Sequence, residues 1–210
     1  MAKKLLLMVA AAALVLALVG CEDQEFDKKS QADWTAEGWE AWKAANYPLA
    51  ITSFGNATKV DPYYPEAHAG IGWTYIRTHS LSDAAEVFED AMLYADQPGT
   101  TNQIRQVIYM GAATAYEGMD EYALSAARGR YMLNNLNGAN FKFTQADPRV
   151  TGYDLYIVLA LDYYGLGDSA NCVWAINQMR GMIQEPKNYQ FTNWRNTTLE
   201  IERLIGKDPS

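Results

Sequence analysis

Residues 34–67 read WTAEGWEAWKAANYPLAITSFGNATKVDPYYPEA, and residues 68–96 continue HAGIGWTYIRTHSLSDAAEVFEDAMLYAD. The first stretch carries Trp34, Gly38, Ala41, Ala50, Phe54, Ala57 and Pro62. Thirty-four residues on, the same slots hold His68, Gly72, Tyr75, Ala84, Phe88, Ala91 and Asp96. Four of the seven slots are identical. A fixed period of this size marks stacked supersecondary units. Ala50, Phe54 and Ala57 fall at i, i+4 and i+7, one stripe of a helix facing a core. Gly38 and Gly72 are small where a helix meets its partner, and Phe54 and Phe88 fill the space between.

This pattern resembles the tetratricopeptide repeat (TPR) family, whose unit is a helix-turn-helix of 34 residues. Trp34, Gly38, Ala50, Phe54, Ala57 and Pro62 stand in its signature slots. Gly72, Tyr75, Ala84, Phe88 and Ala91 do so in the second copy, with His68 and Asp96 as departures. The fold class expected is therefore all-α: a TPR-like superhelical array of about four antiparallel hairpins with a C-terminal capping helix.

The helices can be placed by their punctuation. The first is expected over 31–45. Pro48 suits the opening of the second and Pro65 that of the third, because a missing N–H costs nothing there. Ser80 with Asp83 reads as a capping box for the fourth. Tyr109, Ala113 and Tyr116 repeat the spacing of His68, Gly72 and Tyr75 after 41 residues instead of 34, and a partner helix follows over 121–135. Residues 134–148 read as a largely polar insertion, with a surface loop as the default. Asp147-Pro148 reads as the N-cap of a fourth copy carrying Tyr156, Ala160, Tyr163, Cys172, Ile176 and Met179. A last helix over 194–206 would cover the exposed end of the stack.

The N-terminus has a different logic. Lys3 and Lys4 precede an uncharged run from Leu5 to Gly20, the order of a secretory signal. Leu18-Val19-Gly20-Cys21 resembles the bacterial lipobox, which implies cleavage before Cys21 and lipidation of that residue. The expected divisions are 1–20, signal peptide; 21–30, lipidated cysteine and flexible tether; and 31–206, helical domain. That puts the protein in the bacterial cell envelope, anchored by lipid, with the outer membrane or cell surface favoured over the inner membrane. Cys172 then has no intrachain disulfide partner.

Charge and chemistry narrow the function. The 17 basic and 25 acidic side chains give −8, and −10 without Lys3 and Lys4. Phosphate backbones would be repelled, so nucleic acid is not an expected partner. His68 and His79 lack the spacing of metal ligands, so no metal is expected. Gly165-Leu166-Gly167 follows a helix and not a strand, which removes the dinucleotide-loop reading. No nucleophile elbow or phosphate loop is present. No catalytic residue, cofactor or enzymatic activity is expected.

A groove is expected instead. In the TPR family the first helix of each unit lines the concave face. By resemblance this face takes Ala32, Thr35, Trp39, Trp42 and Lys43 from copy one, and Glu66, Ala69, Trp73, Ile76 and Arg77 from copy two. Copy four adds Asp154, Ile157, Leu161 and Tyr164. Trp39, Trp42 and Trp73 beside Lys43 and Arg77 suit a protein or peptide partner, since tryptophan and arginine are enriched where binding energy concentrates. They equally suit packing on each other, on the tether or on the last helix. The function expected is a scaffold holding a protein partner. The alternatives are glycan binding by the aromatic groove and head-to-tail self-assembly into a homo-oligomer or filament.

Overall fold

The computed structural model describes residues 29–207. The signal segment, Cys21 and most of the expected tether lie outside the described residues. Nine α-helices occur among those described. They are α1 (Gln31–Lys43), α2 (Tyr47–Val60), α3 (Pro65–Arg77), α4 (Leu81–Ala95), α5 (Asn102–Glu117), α6 (Tyr122–Leu136), α7 (Gly152–Gly165), α8 (Ser169–Met182) and α9 (Trp194–Ile205). The expectation of an all-α class holds for the bulk of the fold. One two-stranded ribbon, β1 (Lys142–Phe143) and β2 (Asp147–Thr151), lies between α6 and α7.

The first eight helices pair as four hairpins, and each hairpin packs against the next. One turn closes all four. The amides of Asn46, Ser80, Glu121 and Asp168 each donate to the carbonyl five residues back, on Ala41, Tyr75, Tyr116 and Tyr163. The residue before each donor is left-handed: Ala45, His79, Asp120 and Gly167. This is the six-to-one closure that satisfies orphan carbonyls at a helix end. It fixes the register of α6, which sequence spacing leaves open: Ser125, Gly129 and Met132 take the slots of Ala50, Phe54 and Ala57.

Two phenylalanines lock the first three hairpins. A Cβ added at Gly38 would lie 2.5 Å from the Phe54 ring, and one at Gly70 2.3 Å from it. Phe88 sits the same way between Gly72 and Gly111, at 2.7 and 2.1 Å. Each ring from a second helix enters a notch shared by its own first helix and the next one. In the third hairpin the roles reverse. Gly129 stands in the phenylalanine slot, and Leu159 and Leu155 of α7 enter from the opposite side, at 3.0 and 3.3 Å from a built Cβ.

Two expected caps differ. Ser80 precedes α4 but makes no capping bond. Asn46 and Asp168 occupy the same place in other hairpins with similar backbone angles, and both side chains accept the expected amide. Their acceptor oxygen sits one bond further from the backbone than a serine hydroxyl, so it reaches where Ser80 does not. Asp147-Pro148 does not cap the seventh helix either. Both lie in β2, and Thr151 with Asp154 forms the capping box that starts α7.

Helix α9 packs on both helices of the last hairpin. Ile201 and Leu204 are buried there, and the Tyr153 hydroxyl donates to the Leu204 carbonyl at 2.8 Å. Among the described residues no helix is long and apolar enough to cross a membrane.

Candidate functional site

The first helices of hairpins one and two bring the predicted tryptophans to one place. Trp39 and Trp42 lie a helical turn apart on α1, with ring centroids 6.3 Å from each other. Trp73 comes from α3, at the slot equivalent to Trp39. Phe143 of the ribbon inserts among them. Its centroid lies 4.7 Å from that of Trp73, 5.5 Å from Trp39 and 6.2 Å from Trp42. Phe141, 6.3 Å away and stacked, follows Phe143 into the core.

The indoles converge as the sequence implies, but they are not an open face. Trp39, Trp42 and Trp73 are only 4%, 6% and 6% exposed. Among the described residues the segment that covers them is the 141–151 ribbon, and this corrects the reading of 134–148 as a polar surface loop. The physical reason is the alternation Phe141-Lys142-Phe143-Thr144, which puts two aromatic rings on one side of an extended strand. That period-two signal was present in the sequence. The four asparagines before it dominated the composition of the insertion and hid it.

Hydrogen bonds hold the ribbon and the indoles in place. Gln103 of α5 donates to the Thr144 hydroxyl and, at 3.4 Å, to Gln145. Gln106 donates to the Leu136 carbonyl at 2.6 Å. Trp73 Nε1 donates to the Val107 carbonyl at 3.0 Å, and Trp39 Nε1 to Glu66 at 3.3 Å. Trp42 Nε1 is buried and finds no acceptor among the described residues. The Arg77 guanidinium lies 5.0 Å from the centre of the Trp42 ring, and its charge also helps hold the Asp147 carboxyl below its usual range, after the Arg149 hydrogen bond.

The remaining predicted groove residues divide: Ala32, Thr35, Lys43 and Glu66 gather beside Trp39, and Ile76 and Tyr164 do not join them. Lys43 is exposed and pairs with Glu40 on its own helix. Ile76 is half-buried against the core. Tyr164 meets Trp194 of α9, centroid to centroid 5.2 Å, and forms no part of the tryptophan cluster. Beside the ribbon, on the α1 side, a cleft of about 330 Å³ stays open, lined by Thr35, Trp39, Glu40, Lys43, Glu66 and Gln145 among others.

Glu66 also faces a second cleft, of about 370 Å³, on the other side of Tyr64. Burial raises the Glu66 carboxyl above its usual range, against the lowering effect of hydrogen bonds from Trp39 and Tyr64. Sequence reading passed over the tyrosines of this cleft because they lie in an interhelix turn and at a helix end, outside any repeat slot.

Among the described residues no group of three or more His, Cys, Asp or Glu could hold a metal ion. The chain matches no family model, no curated protein and no solved structure.

Proposed function

We propose that the chain is a lipid-anchored, TPR-like adaptor of the bacterial cell envelope, held by lipid on Cys21, that docks a protein partner on the ribbon side of its array. The observation that carries this reading is the recurrence of one hydrogen-bonded turn in all four hairpins, at Asn46, Ser80, Glu121 and Asp168. An array of like hairpins presents a long continuous face, and such faces are used for binding. Here the ribbon replaces the tryptophans as part of that face. The partner meets the ribbon surface and the cleft beside it, around Thr35, Glu40, Lys43 and Gln145.

The glycan alternative drew its stacking rings from Trp39, Trp42 and Trp73, and these lie beneath Phe143. Self-assembly needs open hairpin ends, and α9 covers the last one. Neither alternative gains an observation in its favour.

Photo-crosslinking in the host tests the proposal. A crosslinking residue at position 43 or 145 should give one discrete protein adduct. The same residue at Leu93, exposed on α4, should give none. Equal adducts from all three positions, or none from any, would remove the docking face. Cys21→Ala should move the protein from the membrane fraction to the soluble one. Retention in the membrane would remove the lipid anchor.

A further inference from the structure

The cleft on the far side of Tyr64 has walls of an unusual kind. The turn between α2 and α3 supplies Asp61, Tyr63 and Tyr64, α3 supplies Glu66, and the end of α4 supplies Tyr94. Tyr63 and Tyr94 meet edge to face with centroids 5.3 Å apart. The imidazole of His68 backs Tyr94 at 4.9 Å, and its Nε2 lies 2.8 Å from the Pro62 carbonyl, which steadies that wall. Asp61 accepts the Tyr63 amide at 3.0 Å and so fixes where the tyrosine pair projects. Tyr63 remains 58% exposed although its ring is held. A large ring fixed in place but left wet is available to a ligand at low entropic cost.

Charge is one-sided. Two carboxylates line the cleft, and among its described lining residues there is no lysine or arginine. Glu66 is the one whose carboxyl burial raises. It is held by neutral donors only, the Trp39 indole and the Tyr64 hydroxyl. A partly buried carboxylate without a counter-charge is costly, and a cation arriving from solution offsets that cost. Aromatic faces attract the same kind of guest, because the ring quadrupole is negative above its plane. The cleft volume, about 370 Å³, is within the range of small-ligand sites.

We propose that this cleft binds a small organic cation, a methylated or alkyl ammonium group, with Tyr63 and Tyr94 against its carbons and Glu66 as its counter-ion. This site shares Tyr64 and Glu66 with the cleft beside the ribbon but takes a different guest, and choline titration and the crosslinks at 43 and 145 test the two separately. Either can fail without the other.

Calorimetry of the full chain in detergent with choline chloride tests it, against sodium chloride at equal ionic strength and against glucose. Choline should bind at one site per chain, and neither sodium nor glucose should. Glu66→Gln keeps an oxygen to accept the Trp39 indole and removes the charge, while its amide group can donate to the Tyr64 hydroxyl oxygen. It should weaken choline by about tenfold or more. Tyr63→Ala removes a ring that is mostly outside the core, so the fold survives, and should weaken choline by a similar factor. Three results overturn the proposal: no choline binding at millimolar concentration, unchanged binding in both variants, or glucose binding as well as choline. The last would make the cleft a neutral sugar site.

Discussion

Phe143 stands 4.7 Å from Trp73, ring centre to ring centre, although seventy residues separate them in sequence. The contact joins the ribbon to the first helix of the second hairpin. It turns a face that would otherwise be wet into part of the core, since Phe143 is fully buried. An extended segment of the chain thus occupies a place that the sequence leaves equally to a foreign partner or to the chain itself.

Removing that ring should have two effects. Phe143→Ala deletes a fully buried aromatic and should cost about 3–5 kcal/mol of stability, the usual range for such a cavity. The indoles of Trp39, Trp42 and Trp73 should also meet water. Urea melts followed by tryptophan fluorescence would report both: an earlier midpoint and a red-shifted native spectrum. A native spectrum unchanged in Phe143→Ala would mean that the ribbon does not seal the indoles.

Glycine substitutions should split by position. Gly111→Ala drives a methyl to 2.1 Å from the Phe88 ring, closer than any real contact. Overpacking of this kind costs about 1–3 kcal/mol and outweighs the gain of about 1 kcal/mol in helix propensity. Gly55→Ala in α2 meets nothing within 4 Å and keeps the propensity gain. Thermal melts should therefore move in opposite directions, down for Gly111→Ala and up for Gly55→Ala. Two shifts of the same sign would contradict the notch geometry.

The contrast between those glycines also explains what was legible in the sequence. Gly38, Gly72, Phe54 and Phe88 recur at a fixed step because in each copy the ring of the second helix enters a notch on the first helix of the same hairpin. Local spacing therefore reveals the contact inside each hairpin, while Gly70 and Gly111, which receive the same rings from the hairpin before, keep no fixed step. Helix ends at Pro48 and Pro65 were legible for the same reason, since proline acts on its own backbone. The ribbon was not legible as a cover, because nothing in Phe141 or Phe143 names its partner. Their alternation says strand, but the groove they enter lies on helices far back in the chain. The tryptophan trio is legible as a cluster, and the sequence leaves open whether a partner or the chain itself covers it. Convergence follows from repeat slots, whereas exposure depends on what a separate segment does. The tyrosine cleft lay outside every slot and was invisible to a reading based on period.

Helix α9 should loosen in acid before the rest of the domain. Arg180 bridges to Glu200 at 2.6 Å, and Arg203 bridges to Glu185 and Glu200 at 2.6 and 2.7 Å. Lys207 adds a contact to Glu185 at 2.9 Å. Hydrogen bonds from Arg203 and Lys207 pull the Glu185 carboxyl down to about 2, and those from Arg203 and Arg180 lower that of Glu200. Folded values below the unfolded ones mean stabilisation that is complete at neutral pH. It is lost as pH falls from about 4.5 toward about 2. Hydrogen exchange over 194–205 should accelerate in that window while α3 and α5 stay protected. Arg180→Ala, which leaves the Arg203 and Lys207 bridges in place, should bring part of that acceleration at neutral pH. Uniform exchange across the domain at every pH would refute a separate α9 transition.

The opposite pH slope should come from Asp162. This residue of α7 is fully buried, and burial raises its carboxyl to about 7. The geometry points the same way. Ser125 Oγ lies 2.7 Å from Asp162 Oδ2 and 2.9 Å from the Ala113 carbonyl, yet a hydroxyl has one hydrogen to give. If Asp162 is protonated, it donates to Ser125, and Ser125 donates onward to Ala113. Both bonds are then made. If Asp162 is ionised, the two acceptors compete for one proton in a dry site. A folded value above the unfolded 3.8 means that the native state holds the extra proton. Stability should therefore fall as pH rises from about 4 to about 7 and then level off. At about 1.4 kcal/mol per unit, the upper bound on that loss is about 4 kcal/mol. Asp162→Asn keeps a neutral donor for Ser125 and carries no charge. Urea unfolding at a series of pH values should show the variant gaining on the wild type steadily up to about pH 7 and keeping that lead above it. Parallel pH profiles for the two proteins would mean that Asp162 does not hold a proton in the folded chain.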